Sequence, residues 1–194
     1  MKNFKVTKLN KAEDILIGMS VPKEKNGNVG ILVEDTMENQ GYEMSRGSGV
    51  DIPGLGAEVK TKGSESKSAY SMGSLHIDTI KLYNYDNSPI KEKCQTIFKV
   101  AHSQIFREIT NAGVLDFSKE FIQDKFRDAF DTARDKIIAG NQSNYIKGHD
   151  KAWGYFERKK KNGKPTNNWA FRIPVDKMTN IEGMAKSNVD NLFE

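Results

Sequence analysis

The spacing of apolar residues along the chain first has the period of a helix. In NKAEDILIGMSV the apolar positions recur every three to four residues behind an Asn that can cap a helix. A second helix is predicted through VGILVEDTMENQGY, with Asn26 or Asn28 as its cap and Gly41 at its end. Residues 10–46 are therefore expected to form two N-terminal helices.

The period changes to that of a strand after Gly47. Apolar and polar residues alternate from Ala57 to Thr61 behind a turn rich in Gly and Pro. SAYSMGSLHIDTI and IKEKCQTIFKVAHS indicate two further strands, and the second is expected to be central because it is nearly continuous in β-branched and aromatic residues. Residues 47–117 are thus predicted to form a sheet.

The strongest helical pattern covers residues 118–140, where Ser118 is the expected N-cap and Gly140 the stop. Its apolar stripe is predicted to contain Phe121, Phe126, Phe130, Ala133 and Ile137.

In residues 141–194, WGYFERKK and NWAFRIPV flank an Asn-Gly pair, which is typical of a β-hairpin with a tight turn. The elements together predict an α/β (α+β) fold, and the length of 194 residues fits a single domain, 1–194.

Composition narrows the class of function. No run of apolar residues is long enough to span a membrane, so a soluble, cytoplasmic protein is expected. The single cysteine, Cys94, excludes a disulfide framework and is expected on a core strand, and the three histidines are too scattered for a zinc site. Residues 141–177 contain nine Lys or Arg against three Asp or Glu, a net +6 in a chain of net +4. This local excess of positive charge favours a polyanionic partner.

The candidate chemistry lies in DIPGLGAEVKT. On a strand, Glu58 and Lys60 face the same side, and the Ile-Pro-Gly turn can return Asp51 beside Glu58. Two carboxylates this close repel unless a cation lies between them, and few hard oxygen ligands suit Mg²⁺. Asp51 and Glu58, with the main chain of Val59, are the predicted metal ligands. Lys60 is expected to assist a metal-activated water and to offset charge on the reacting phosphate.

This segment resembles the active-site motif of the MutH-like branch of the PD-(D/E)XK nuclease superfamily, where an Asp, a Leu-Gly turn and Glu-x-Lys-Thr follow at the same spacing. The resemblance implies a further catalytic glutamate on a preceding helix. Glu34 in VGILVED is its match, and Glu38 is the alternative. Some members have another active-site lysine on a neighbouring strand, for which Lys93, Lys99 and Gln95 are candidates.

The resemblance implies a restriction-endonuclease-like mixed sheet flanked by helices, and a sequence-specific, type II restriction-like or MutH-like endonuclease acting on double-stranded DNA. Mg²⁺ would be the cofactor, with Mn²⁺ as a substitute, in a bacterial or phage-like setting. Two alternative functions stay open, namely a structure-specific junction or repair nuclease and a noncatalytic DNA-binding protein. A homodimer on DNA also stays open. The residues predicted to contact DNA are Arg46, Ser48, Lys159, Lys160, Lys161, Lys164, Asn167, Asn168 and Arg172.

Overall fold

The computed structural model describes residues 9, 11–22, 29–47 and 49–175. In chain order its helices are α1 (residues 11–16), α2 (Val29–Asn39), α3 (Ile77–Leu82), α4 (Pro89–Lys93) and α5 (Glu120–Ile138). Its strands are β1 (Glu58–Gly63), β2 (Tyr70–His76), β3 (Thr96–Ser103), β4 (Glu108–Asp116), β5 (Tyr145–Lys147), β6 (Tyr155–Lys161) and β7 (Lys164–Ile173). The described residues fall into two compact units, and the single domain expected from the length stays a prediction.

The first unit lies within Met1–Lys67 and Gln95–Asp116 and contains a three-stranded sheet in the order β1-β3-β4. β1 runs parallel to β3, and β3 runs antiparallel to β4. Since side chains alternate across a strand, Val59 of β1 and Phe98 of β3 enter one core together with the apolar faces of α1 and α2. The opposite face of β1 therefore presents Glu58 and Lys60.

The second unit lies within Ser68–Cys94 and Phe117–Glu194 and contains an antiparallel sheet in the order β2-β7-β6-β5. The Phe130 ring of α5 lies 5.0 Å from the Phe156 ring and 5.4 Å from the Phe171 ring. Gln123, also on α5, is 2% exposed and bonds the carbonyls of Cys94 and Phe117 through its amide nitrogen. Its oxygen accepts a hydrogen bond of 2.9 Å from the Tyr85 hydroxyl, so this buried amide is well satisfied.

The sequence predictions are confirmed for the mixed α/β class, for α2 and β1, for the central place of β3 in its sheet, for α5 and for the β6–β7 hairpin. The single sheet predicted over residues 47–117 is wrong, because β2 pairs with β7 in the four-stranded sheet while β1, β3 and β4 form the other. β4 and β5 were not predicted.

Several details of the sequence predictions are wrong. The N-cap of α5 is Lys119 and not Ser118, and Phe121 is 44% exposed while Ile122 takes its place in the core. The strand predicted through SAYSMGSLHIDTI ends at His76, where α3 begins. The first residues of IKEKC are helical, because Ser88-Pro89 starts α4, and Cys94 is buried at the C-cap of that helix and not on a strand. The predicted caps Asn10, Asn26 and Asn28 lie outside the described residues.

Candidate active site

A tight turn joins Asp51 to β1. Ile52 and Ala57 form an antiparallel bridge in which each amide donates to the other's carbonyl, at 2.8 and 3.2 Å. Between them, Pro53–Leu55 make one 3₁₀ turn, and Gly56 closes it in the left-handed conformation with φ +58°. A residue with a Cβ adopts this conformation only at a cost, so glycine suits the position. The bridge places Asp51 alongside the first residues of β1.

Two hydrogen bonds fix Asp51 in that place. Its Oδ2 accepts from the backbone amide of Val59 at 2.8 Å, and its carbonyl accepts from the amide of Ser45 at 2.8 Å. The first bond holds the carboxylate against β1, and the second closes the glycine-rich loop that precedes it. The Pro-Gly turn was predicted to return the Asp51 carboxylate beside Glu58, and in the structure this carboxylate lies against the backbone amide of Val59, the next residue of β1.

Glu58 and Lys60 form an ion pair on the face of β1 that points away from the apolar core. Glu58 is only 2% exposed, and the ammonium of Lys60, whose side chain is 18% exposed, bonds Glu58 Oε1. Removing two charges from water costs several kcal/mol per ion, roughly, before their attraction is counted. A pair in this setting requires good geometry and further polar partners.

The carboxyl group of Glu34 is influenced by the charges of Asp51 and Lys60. Burial raises the pKa of this α2 carboxyl, the negative charge of Asp51 raises it further, and the charges of Arg46 and Lys60 oppose the rise. Glu38, the alternative considered from the sequence, is exposed and accepts a hydrogen bond from Arg46 at 3.3 Å. Of the two glutamates, the structure therefore places Glu34 near Asp51 and Lys60.

The register of β1 and β3 brings a second lysine to the site. Lys60 and Lys99 are direct partners in the parallel ladder, so their side chains leave the sheet on the same face. Of the other two residues considered for this role, Lys93 lies in the last turn of α4 in the second unit, and Gln95 precedes β3. Lys99 is thus the candidate that the register aligns with Lys60.

Arg46 lies on the exposed approach to Asp51. Its guanidinium donates to Asp35 at 2.8 Å as well as to Glu38 at 3.3 Å, and all three side chains are substantially exposed. Exposed pairs of this kind contribute roughly 0–1 kcal/mol, so a phosphate can compete for the arginine. Ser48, the other residue predicted in this loop, lies outside the described residues.

The tip of the β6–β7 hairpin carries exposed cations. Asn162 and Gly163 adopt positive φ values of 52° and 77°, which is the conformation of a tight type I′ turn. Exposed on either side of this turn are Lys159, Lys160, Lys161, Lys164, Asn167 and Asn168. Arg172 differs from them, since it is partly buried and donates to Glu157 at 2.6 Å within the sheet.

Thr166 shapes the hairpin in a way that the sequence analysis missed. Its hydroxyl donates to the Lys159 carbonyl at 2.9 Å and accepts from the Asn168 amide at 3.2 Å. The β6–β7 register shifts at this point, between Arg158 and Lys160, so the hydroxyl stabilises an irregular stretch of ladder. The sequence indicated this role of Thr166 only by placing it directly before Asn167 and Asn168 in a basic hairpin.

No family model matches the chain, and no curated protein matches it at a significant level. The resemblance to the MutH-like nucleases therefore stays a prediction, based on the motif around Asp51.

The donor atoms at β1 fit a hard divalent cation. Among the residues that the structure describes, no group of three or more His, Cys, Asp or Glu side chains is arranged to hold a metal by itself. Two carboxylates and a main-chain carbonyl, as in Asp51, Glu58 and Val59, make an incomplete oxygen set. Mg²⁺ accepts such a set, because waters and substrate phosphates commonly complete its coordination.

Proposed function

We propose that the chain is a Mg²⁺-dependent endonuclease that hydrolyses phosphodiester bonds in double-stranded DNA at a short recognition sequence. One observation carries the proposal: a single tight hairpin fixes the Asp51 carboxylate against a strand whose buried Glu58 pairs with Lys60. Metal-dependent hydrolysis of a phosphodiester requires acidic oxygens for the cation and a positive group for the phosphate, and this arrangement supplies both.

Asp51, Glu58 and the carbonyl of Val59 would hold the ion, and the carboxylate of Glu34 adds negative charge beside Asp51. When bound, Mg²⁺ polarises the phosphoryl oxygen and lowers the pKa of a coordinated water. The Val59 amide keeps Asp51 in position through the 2.8 Å hydrogen bond, so the carboxylate needs no rearrangement before the ion arrives. This preorganisation lowers the cost of assembling the site.

Lys60 has two roles in this proposal. Its ammonium holds Glu58 in one orientation within a buried environment, and the same positive charge faces the phosphate where negative charge develops during hydrolysis. A lysine placed in this way stabilises the transition state more than the ground state, because the charge on the phosphate increases along the reaction.

The β6–β7 hairpin would contact the DNA. Its exposed lysines suit phosphates, and the amides of Asn167 and Asn168 suit base edges, since an Asn side chain can bond adenine at two atoms. Arg46 would exchange Asp35 and Glu38 for a phosphate near the site. Arg172 would have to leave Glu157 before it could bind DNA, so we assign it the least direct contact of the set.

A noncatalytic DNA-binding protein is the second candidate, because Lys60 already pairs directly with Glu58 and the cluster works equally well as a structural ion pair. A structure-specific nuclease is a variant of the first proposal. Incubating plasmid and branched DNA with Mg²⁺ and then with EDTA distinguishes the three. Discrete fragments support the restriction-like enzyme, nicks confined to branches support the structure-specific nuclease, and a gel shift without cleavage supports the binder.

The site itself is tested by Asp51→Asn, with Asp14→Asn on the exposed surface of α1 as the matched control. Loss of a metal ligand is expected to lower the cleavage rate at least about a hundredfold, which corresponds to roughly 3 kcal/mol in the transition state. DNA binding in EDTA should be retained by both variants. If Asp51→Asn cleaves as fast as Asp14→Asn, the site is misassigned.

A further inference from the structure

Three lysines share one face of the first unit's sheet. Lys60 and Lys62 are two residues apart on β1 and therefore point to the same side, and Lys99 is the direct partner of Lys60 on β3. All three are partly buried. Lys62 lies two residues further along β1 than Lys60, the proposed catalytic lysine. It is not among the residues proposed to bind the metal or to stabilise the reacting phosphate.

Lys62 is partly buried and lies within the electrostatic influence of Lys99. Partial burial lowers the pKa of Lys62, and the nearby charge of Lys99 lowers it further. Lys60 has the buried carboxylate of Glu58 as its partner. An anion bound beside Lys62 would favour the charged form of this lysine, because the opposite charge offsets both its burial and the charge of Lys99.

The distance between Lys60 and Lys62 along β1 indicates which kind of anion they would bind. Residues two apart on a strand are separated by about 6.7 Å along the strand direction. That interval is close to the step between successive phosphates of a nucleic acid strand. If Lys60 faces the scissile phosphate, Lys62 is placed for the next one.

We propose that Lys62 binds the DNA phosphate adjacent to the scissile phosphate, and so fixes the position of the DNA strand in the active site. The proposal rests on the function proposed above, because the scissile phosphate is defined by Lys60. Lys62 is then a positioning residue: it contacts the backbone of the substrate but not the reacting atoms.

The first test compares Lys62→Gln with Lys67→Gln, an exposed lysine just beyond β1, and with the charge-conserving Lys62→Arg. Binding of uncleaved duplex in EDTA is measured against salt. One lost phosphate contact reduces the slope of log K against log salt by about 0.9. Between about 50 and 200 mM salt, the wild type should therefore lose about 3.5 times more affinity than Lys62→Gln. Lys67→Gln and Lys62→Arg should keep the wild-type slope.

The second test identifies the phosphate. Duplexes with a single neutral methylphosphonate on either side of the scissile position are bound to the wild type and to Lys62→Gln. On one side, the neutral linkage should weaken the wild type and leave Lys62→Gln unaffected, which shows that the two changes remove the same contact. Equal losses in both proteins at both positions would overturn the assignment of Lys62.

The outcomes separate this inference from the proposed function. A wild type that cleaves DNA, combined with Lys62→Gln behaving as Lys67→Gln does, refutes the Lys62 site alone. A wild type that binds but never cleaves refutes the nuclease, while a reduced salt slope in Lys62→Gln would still support a phosphate contact. A wild type that neither binds nor cleaves DNA refutes both.

Discussion

Replacing Lys60 by methionine tests the energetics of the site without any assay of cleavage. Methionine retains much of the length of the side chain but removes the charge. Glu58 would then remain 2% exposed and lose its cationic partner. Breaking one side of a buried ion pair typically costs about 3–5 kcal/mol.

The size of this cost follows from the burial of Glu58. Its carboxylate is almost inaccessible to water, so solvent cannot replace the ammonium that Lys60→Met removes. Lys60→Met is therefore expected to have a free energy of unfolding about 3 kcal/mol lower than that of the wild type.

Urea denaturation measures the deficit. The double variant Glu58→Leu/Lys60→Met is the control, since replacing a whole buried pair by apolar residues is often neutral or stabilising. It should be close to the wild type in stability. If Lys60→Met is as stable as the double variant, breaking the ion pair carries no penalty, and the reasoning about this pair is refuted.

Addition of Mg²⁺ extends the same measurement to the metal. An ion present at ten times its dissociation constant stabilises the folded state by about 1.4 kcal/mol. This increment should appear in the wild type and in Lys60→Met, and it should be lost in Asp51→Asn and in the double variant. Equal increments in all four proteins would assign the ion to another site.

Three further predictions concern the scaffold. Gly56→Ala should destabilise the protein by about 1–2 kcal/mol in urea denaturation, because φ is +58°, and Gly56→Asn should cost less. Gln123→Leu should cost about 3 kcal/mol, since it removes the hydrogen bonds that Gln123 makes to three buried polar groups, and an unchanged urea midpoint would contradict this. Hydrogen bonds from Arg127 and from Lys91 lower the pKa of Asp86 from 3.8 to about 2. Their contribution to stability is therefore present above pH 3.8 and is lost as pH falls towards 2. The stability gap between the wild type and Asp86→Asn should close over that interval, and a constant gap would contradict this.

The part of the site that is local in sequence could be predicted. The Pro-Gly turn, the strand alternation and the i, i+2 relation of Glu58 and Lys60 are all encoded within ten residues, and the structure has each of them. The choice of Glu34 over Glu38 could not be made in this way. It depends on which face of α2 packs against the sheet, and that is decided by contacts between distant segments.

The missed elements have physical causes. β4 has the sequence EITNAGVLD, in which Asn, Ala and Gly weaken the strand pattern, and a register shift between Ala101 and His102 interrupts its pairing with β3. Its stability comes from β3, a central strand with an apolar surface. α4 was not predicted, because the apolar run that follows Ser88-Pro89 indicated a longer strand, although Ser-Pro is a typical helix start.

The ion pairs of this protein differ in how deeply they are buried. In the second unit, Asp86, Arg127 and Lys91 pair at the surface, where the cost of desolvation is small and the contribution to stability is modest. In the first unit, Glu58 is buried with Lys60, an arrangement that apolar residues of similar size would replace at little cost to folding. Stability alone therefore does not require a carboxylate and a lysine at these positions. Under the proposed nuclease function the pair would have a chemical role, because an acidic oxygen and an ammonium in a partly dry environment act on a phosphate more strongly than they would in water.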